Sequence, residues 1–363
     1  MFPYIILNGV NSKNVPGLLI QNFPPVTKPE MRTNIEEIDG RDGDIITDLG
    51  YAAYDKTFDI GITDRSVVNQ VIGFFNSHGT VTFSNEPGMV YDYKIIKQID
   101  FNKLIRFKTA TVTMHVQPFK YFLTEKELEF VGNNQLLNVP DYIQTKNGIN
   151  LTVADNVFSL SGTSTEQTSF IVAMDYLLLE PGRYILYAYS NGSGANNCQA
   201  AVINDVATTG TCFGYGPIDL ENNKTLNKTD DYSTPKSFNY VYLKVPNNQT
   251  VDFNLHLKLT KINEKGLKII NKGNVYSLPQ VTVFGTGDIT LGVNNKSVFT
   301  INLGLEEYIT IDATNLEASK NGVLKNRLVT GNYDNFKLNP GVNFINYTGI
   351  VEKITLKKYS RWL

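Results

Sequence analysis

Apolar and polar side chains alternate at period two along most of this 363-residue chain, and that pattern constrains the fold more than any motif does. In RFKTATVTMHVQPF (106–119), Ala110, Val112, Met114 and Val116 fall on one face of an extended strand. KTFDIGIT (56–63) and TVTFSN (80–85) repeat the pattern. Hydrophobic residues reach 42% against 19% charged, with 20 Tyr and 20 Phe, a balance that suits half-buried sheet surfaces better than solvated helices. A mainly β protein is expected, divided at this length into two or three domains with separate cores.

One segment breaks the period. TDRSVVNQVIGFFNSHG (63–79) sets Val67, Val68, Val71, Ile72 and Phe75 at helical spacing, behind a Thr63 or Asp64 cap and ahead of Gly79 as a stop. A single helix packed on the sheet is expected, with His78 as its C-terminal cap. Between about 125 and 263, Asn, Thr and Ser rise and turn signals recur, as in GNN (132–134), SGT (161–163) and NGSG (191–194). The short alternating runs between them, such as INLTV, FIVAM, YILYAYS and YVYLKV, predict an all-β jelly roll. From about 264 the alternation resumes in SLPQVTVFGTG, ITLGVNN and SVFTINL. The linkers are short, which points to domains packed together or inserted.

Several classes of function find no support. The 33 Lys plus Arg and 35 Asp plus Glu are spread along the chain for a net charge of -2, so no basic stripe exists for a nucleic acid. MFPYIILNGV has neither a basic n-region nor a small-residue cleavage site, and no stretch reaches the ~18 apolar residues of a membrane span. Synthesis and folding in a cytoplasm, without membrane insertion, are expected. Cys198 and Cys212 cannot form a disulfide framework. Reduced structural thiols are favoured, and a pair across one hairpin stays open because pairing depends on a Cα separation that sequence does not give.

The three histidines make no metal-binding spacing, and His115 and His256 are expected on solvated strand faces. No G-x-S-x-G elbow, P-loop or dinucleotide fingerprint occurs. A glycoside hydrolase would need two carboxylates in a cleft, and Asp175 with Glu180 or Asp230 with Asp231 sit at expected turns without that context. No catalytic residue, metal or cofactor is therefore assigned.

The most charged stretch is DGRDGDIITDLG (39–50). As an EF-hand it fails in both registers: counted from Asp39, position 3 is Arg41, and counted from Asp42, position 5 is Ile46. As a hairpin turn it makes sense, with Gly40 and Gly43 supplying positive φ, and only Arg41 unexplained. In the middle block, Tyr184, Tyr187, Tyr189, Tyr215 and Tyr232 lie near polar Asn and Asp loops. Tyr187, Tyr189, Tyr215 and Tyr232 are candidates to stack on sugar rings, although for any one Tyr on a strand core or rim packing is the favoured expectation.

The order LNG (7–9), EEIDGRDGDI, KTFDIGI, DRSVVNQVIGFF, TVTFSNEPGMVYDYK and TATVTMHVQPF resembles the N-terminal domain of the distal tail proteins of long-tailed phages that infect Gram-positive bacteria. GLKIINKGNVYSLPQVTVFGTGDITLGVNNKSVFTI, then EYITIDATNLEASKNG, then LNPGVNFINYTGIVEKITL and a final RWL resemble that family's galectin-like domain. Together these segments make up close to two thirds of the chain.

The resemblance implies a belt domain over 1–120, a discontinuous galectin-like β-sandwich over 121–130 and 264–363, and an inserted jelly roll over 131–263 similar to carbohydrate-binding modules. It implies a homo-hexamer in the virion tail tip, joining the tail tube protein to a tail-associated lysin or fibre protein and a receptor-binding protein. It also places Arg41, Asp42 and Asp44 in an assembly turn, and host cell-wall polysaccharide on the inserted domain. The alternative is a chain that acts mainly as a polysaccharide adhesin, with the assembly as its mount.

Overall fold

The computed structural model of the chain describes residues 3–75, 78–103, 108–123, 125–131, 135–204, 212–262 and 266–363. It is mainly β, with one short α-helix among the described residues and three separate apolar cores.

The N-terminal sheet is built on the long strand Lys108–Phe122. One edge of that strand pairs with Tyr54–Ile62, from Lys108 opposite Ile62 to Val116 opposite Tyr54. The other edge takes Met89–Lys94, across a bulge between Val116 and Lys120 that bends the strand. Alternation puts Ala110, Val112, Met114 and Val116 into the core beside Phe58, Ile60, Val81 and Phe83, all buried.

The helix forms as the spacing predicts. Asp64 Oδ1 accepts from the Ser66 N–H at 2.8 Å, a 3-10 turn covers Arg65–Val67, and the α-helix runs Val68–Phe74 with Val71 buried. His78 is not its cap. The helix closes at Phe75, whose N–H donates to Val71 O at 3.3 Å, and His78 opens the next strand, His78–Phe83.

A buried charged network ties the loop after the strand Leu18–Ile20 to this core. Lys56 is 2% exposed, donates to Pro25 O at 3.0 Å and lies 4.8 Å from the Tyr91 ring centroid. Tyr91 Oη donates to Glu86 at 2.7 Å, and Lys120 Nζ pairs with Glu86 at 2.5 Å. Burial works to raise the Glu86 carboxyl, but the hydrogen bonds from Lys120 and Tyr91 and the charges of Lys120 and Lys56 outweigh it and hold the pKa below the usual range. A depressed carboxylate stabilises the fold above its unfolded pKa and loses that contribution as pH falls through the folded pKa. The N-terminal domain should therefore weaken below about pH 4.3. In Glu86→Gln this acid-induced loss should be smaller, and a thermal-melt series across pH with the same slope for both proteins would contradict it.

In the C-terminal sheet, the strands Gly341–Lys357 and Gln280–Val293 run side by side, and Tyr308–Asp312 and Lys296–Gly304 pair with the latter. Leu128–Val131 and Leu267–Asn271 both pair with Gly341–Lys357. The chain thus leaves this sheet after 131 and returns to it at 267. Between the two points it builds a six-stranded and a four-stranded sheet around a shared core that includes Phe158, Phe170, Val241 and Leu255. The two sheets are the all-β block that the alternating runs imply.

Both cysteines are buried and neither is in a disulfide. Cys198 Sγ donates to Gly194 O at 3.4 Å, and burial pushes its thiol up to about 12. The disulfide alternative is not what the structure holds.

The chain ends by crossing between domains. Arg361–Trp362 pairs with Lys120 and Tyr121 of the N-terminal sheet, and Val275 bridges Arg361 from the C-terminal side. The buried Arg361 guanidinium sits 4.2 Å from the Phe119 ring centroid and 4.7 Å from that of Tyr276, and donates from Nε and Nη2 to Tyr276 O at 3.0 and 2.8 Å.

Candidate functional site

The acidic stretch forms a projecting hairpin. Met31–Glu37 and Asp44–Tyr51 pair only with each other, as a two-stranded sheet apart from the others. Gly40 and Gly43 have φ of 81° and 78°, the left-handed values that the turn requires, and Arg41 N–H donates to Ile38 O at 3.1 Å. The spacing therefore gave the turn correctly. At the base of the hairpin Tyr51 meets Phe119 edge-on, with centroids 5.7 Å apart. Above that contact the strands are almost wholly exposed.

Arg41, Asp42 and Asp44 lie at or beside the tip, all exposed. Among the described residues the Arg41 guanidinium makes no ion pair and no hydrogen bond. Sequence reasoning missed a second feature of the same hairpin. Ile35 faces Ile46 across the ladder, 57% and 62% exposed, with Leu49 nearby at 56%. Two β-branched apolar residues directly opposite each other usually mark a face that packs on something. The signal in sequence was the isoleucine in TNIEEI and in DIITD, masked by the surrounding acids.

The tyrosine candidates separate by environment. Tyr187 and Tyr189 are 5% and 3% exposed and pack with Ile350 of the C-terminal sheet. Burial raises both phenols, against a Gly349 backbone hydrogen bond for Tyr187 and with the Asp288 charge for Tyr189. Neither ring is open to a sugar, which corrects the expectation for both. They belong to an interface that fixes the inserted sandwich on its host sheet. Thr225 N–H donates to Asp288 Oδ2 at 3.0 Å while Asp288 N–H donates to Thr225 Oγ1 at 2.6 Å. Lys258 Nζ donates to Val351 O, and its burial pulls its pKa down to about 8.

His256 is covered by the same interface. Its ring lies 6.0 Å from that of Tyr189, and burial lowers its pKa, so it is not on the solvated face expected for it. His115 is on such a face, 2.9 Å from Asp55.

Tyr215 and Tyr232 both line a cleft of about 330 Å³ with Asp230, Asp231, Thr234 and Lys236. Tyr215 is 94% exposed, whereas Tyr232 is 9% exposed with its ring against Tyr184, Phe213 and Phe238. Of the four candidates only Tyr215 presents a free ring face. Asp230 and Asp231 are not at a turn but in the strand Thr225–Tyr232, where neighbours point to opposite faces. Asp230 accepts from the Gly214 and Asp231 N–H groups at 3.1 and 2.9 Å.

No protein-family model matches the chain, and neither does any curated protein. Among solved structures it is similar to the Dit protein of phage SPP1, described as a paradigm of the hub adsorption apparatus in phages that infect Gram-positive hosts. That likeness has a TM-score of 0.30 and 13% identity, over 72% of this chain and 100% of that one. It is also similar to chains of the phage P2 baseplate in its activated conformation, with Ca and with Sr. These have TM-scores of 0.25 and 8% identity, over 99% of both chains with Ca and 98% of both with Sr. With TM-scores of 0.30 and below, these likenesses name phage tail-hub and baseplate structures as neighbours and carry no further weight.

Proposed function

We propose that this chain is a ring-forming structural hub of a phage tail tip, with a saccharide-binding module mounted on it. The observation that carries the proposal is the hairpin Met31–Tyr51, a two-stranded sheet that projects from its domain with Ile35 and Ile46 uncovered. An isolated hairpin is marginal in water, and a second subunit laid along it would supply the missing cover. Closed symmetry then limits the assembly to a ring, and six copies match the resemblance of the N-terminal segment. In the virion the ring joins the tail tube to the tail-associated and receptor-binding proteins and needs no catalytic residue. Mass measurement and electron microscopy of purified protein and of tail tips should give six-fold rings; a monomer in both overturns the proposal.

Arg41 is the polar partner in this contact. Its guanidinium is free in the monomer and suits a two-pronged bond to a carboxylate on the neighbouring subunit, which a lysine would not reproduce. Arg41→Ala should lower the hexamer fraction in size exclusion about ten-fold, matching the loss of one charge-assisted contact per interface, with the circular dichroism of the subunit unchanged. An unaltered hexamer fraction would contradict the assignment.

The saccharide part is supported by the 94% exposure of Tyr215 above a cleft with carboxylate and hydroxyl groups. Six copies would turn weak contacts into useful avidity. The fluorescently labelled full chain should decorate Gram-positive cell walls, and failure to do so at any concentration removes this part while leaving the ring intact.

A further inference from the structure

The outer face of the four-stranded sheet in the inserted sandwich carries an arrangement that the function above does not use. In KSFNYVYLKV (236–245), Phe238, Val241, Leu243 and Val245 turn inward, while Tyr240, Tyr242 and Lys244 turn outward and remain half-buried. The two outward tyrosines are two residues apart on one strand, about 6.8 Å along it. The cross-strand register surrounds them in a set way. Tyr242 lies between Ile171 and Ala201, and Tyr240 lies between Ala173 and Ile203. Ala201 and Ile203 are 1% and 2% exposed and pack against Tyr240 and Tyr242, so the two rings cover them.

The next row of the same face is polar and cationic. Lys244 lies between Ser169 and Gln199. Lys146 reaches the same place from the neighbouring sheet, with Nζ donating to Ser169 O at 3.0 Å. Neither lysine has a carboxylate within ion-pair distance among the described residues. The carboxylate at the end of that row, Asp219, is taken by Gln199 Nε2 at 2.7 Å. Two lysines on this row without an ion-paired carboxylate favour an anion there.

We infer that this face binds a saccharide chain bearing anionic groups, with Tyr240 and Tyr242 stacking on successive sugar rings and Lys244 and Lys146 holding an acidic substituent. The inference rests on reading the inserted sandwich as a saccharide module, and it moves the main contact from the Tyr215 cleft to the sheet face. Sugar C–H faces stack on aromatic rings, the tyrosine hydroxyls exchange hydrogen bonds with sugar hydroxyls, and the cations select acidic chains over neutral ones.

The test uses the full-length protein in calorimetric titration, with polygalacturonate as the acidic probe and dextran as the neutral one. Polygalacturonate should bind at least ten-fold more tightly than dextran, with an affinity that falls as salt is raised. Tyr242→Ala and Lys244→Glu should each weaken it at least ten-fold, while Tyr359→Ala, an exposed ring outside the sandwich, should not. Tyr242 faces away from the core, so native circular dichroism accompanies the loss.

Binding of neither probe, or equal binding of both, overturns the inference. If wild type binds but only Tyr215→Ala weakens it, the saccharide reading of the module stands and its placement on the sheet falls. The oligomeric state of the same samples is read separately, so loss of binding in an intact ring does not touch the hub.

Discussion

Ile35→Asp combined with Ile46→Asp should yield a folded monomer with no detectable ring. Each isoleucine buried at a subunit contact contributes about 1.5–3 kcal/mol. The double change also places two carboxylates where the partner would have to desolvate them, and the cost recurs at every interface of a closed assembly. The subunit itself should be unaffected, because the two side chains are already exposed on the hairpin. Light scattering after size exclusion would give the mass, and circular dichroism the fold. A ring of unchanged stoichiometry would show that the hairpin is not the contact.

A second large effect belongs to the other end of the chain. Arg361→Ala should lower stability by about 3 kcal/mol, since it removes a desolvated cation–π stack and two hydrogen bonds from a charged donor. The guanidinium lies between Phe119 of one domain and Tyr276 of the other, so its loss is felt in both. Arg361→Lys should recover little, because an ammonium neither spans the two rings nor forks onto Tyr276 O. Domains of one chain need not melt together, so the readout is amide hydrogen exchange at Lys120 and Tyr121, which pair with Trp362 and Arg361. Unchanged protection at those amides would refute the role given to Arg361.

Much of this architecture was legible in the sequence, because period-two alternation reports a strand with one wet face. The helix at Val68–Phe74 and the hairpin turn at Gly40–Gly43 both followed from spacing and turn chemistry. The failures fall where a second face was covered. In GRYILYAYS, Tyr184 and Leu186 point into the sandwich core while Tyr187 and Tyr189 are buried too, one pair by its own domain and the other by the sheet around Ile350. A strand buried on both faces reads as a near-continuous apolar run, and the tyrosine hydroxyls disguised it as a polar one.

The same cover explains His256 and Lys258. Polar residues on alternate positions were assigned to solvent, yet the surface that shields them comes from residues near 350, close to a hundred positions downstream. Local pattern carries no information about such long-range cover. Tyr240 and Tyr242 were missed for the opposite reason, since nothing in YVYLKV marks which of its two faces would stay open.

The pairing of Arg361–Trp362 with Lys120 and Tyr121 also bears on the order of events during synthesis. A ribosome emits Lys120 and Tyr121 some 240 residues before the strand that completes their ladder. The nascent N-terminal sheet must therefore wait with that stretch of ladder unpaired until Arg361 and Trp362 are made. A domain whose ladder is completed that late in the chain has a built-in delay. Chains cut short before Arg361 would lack the finished edge.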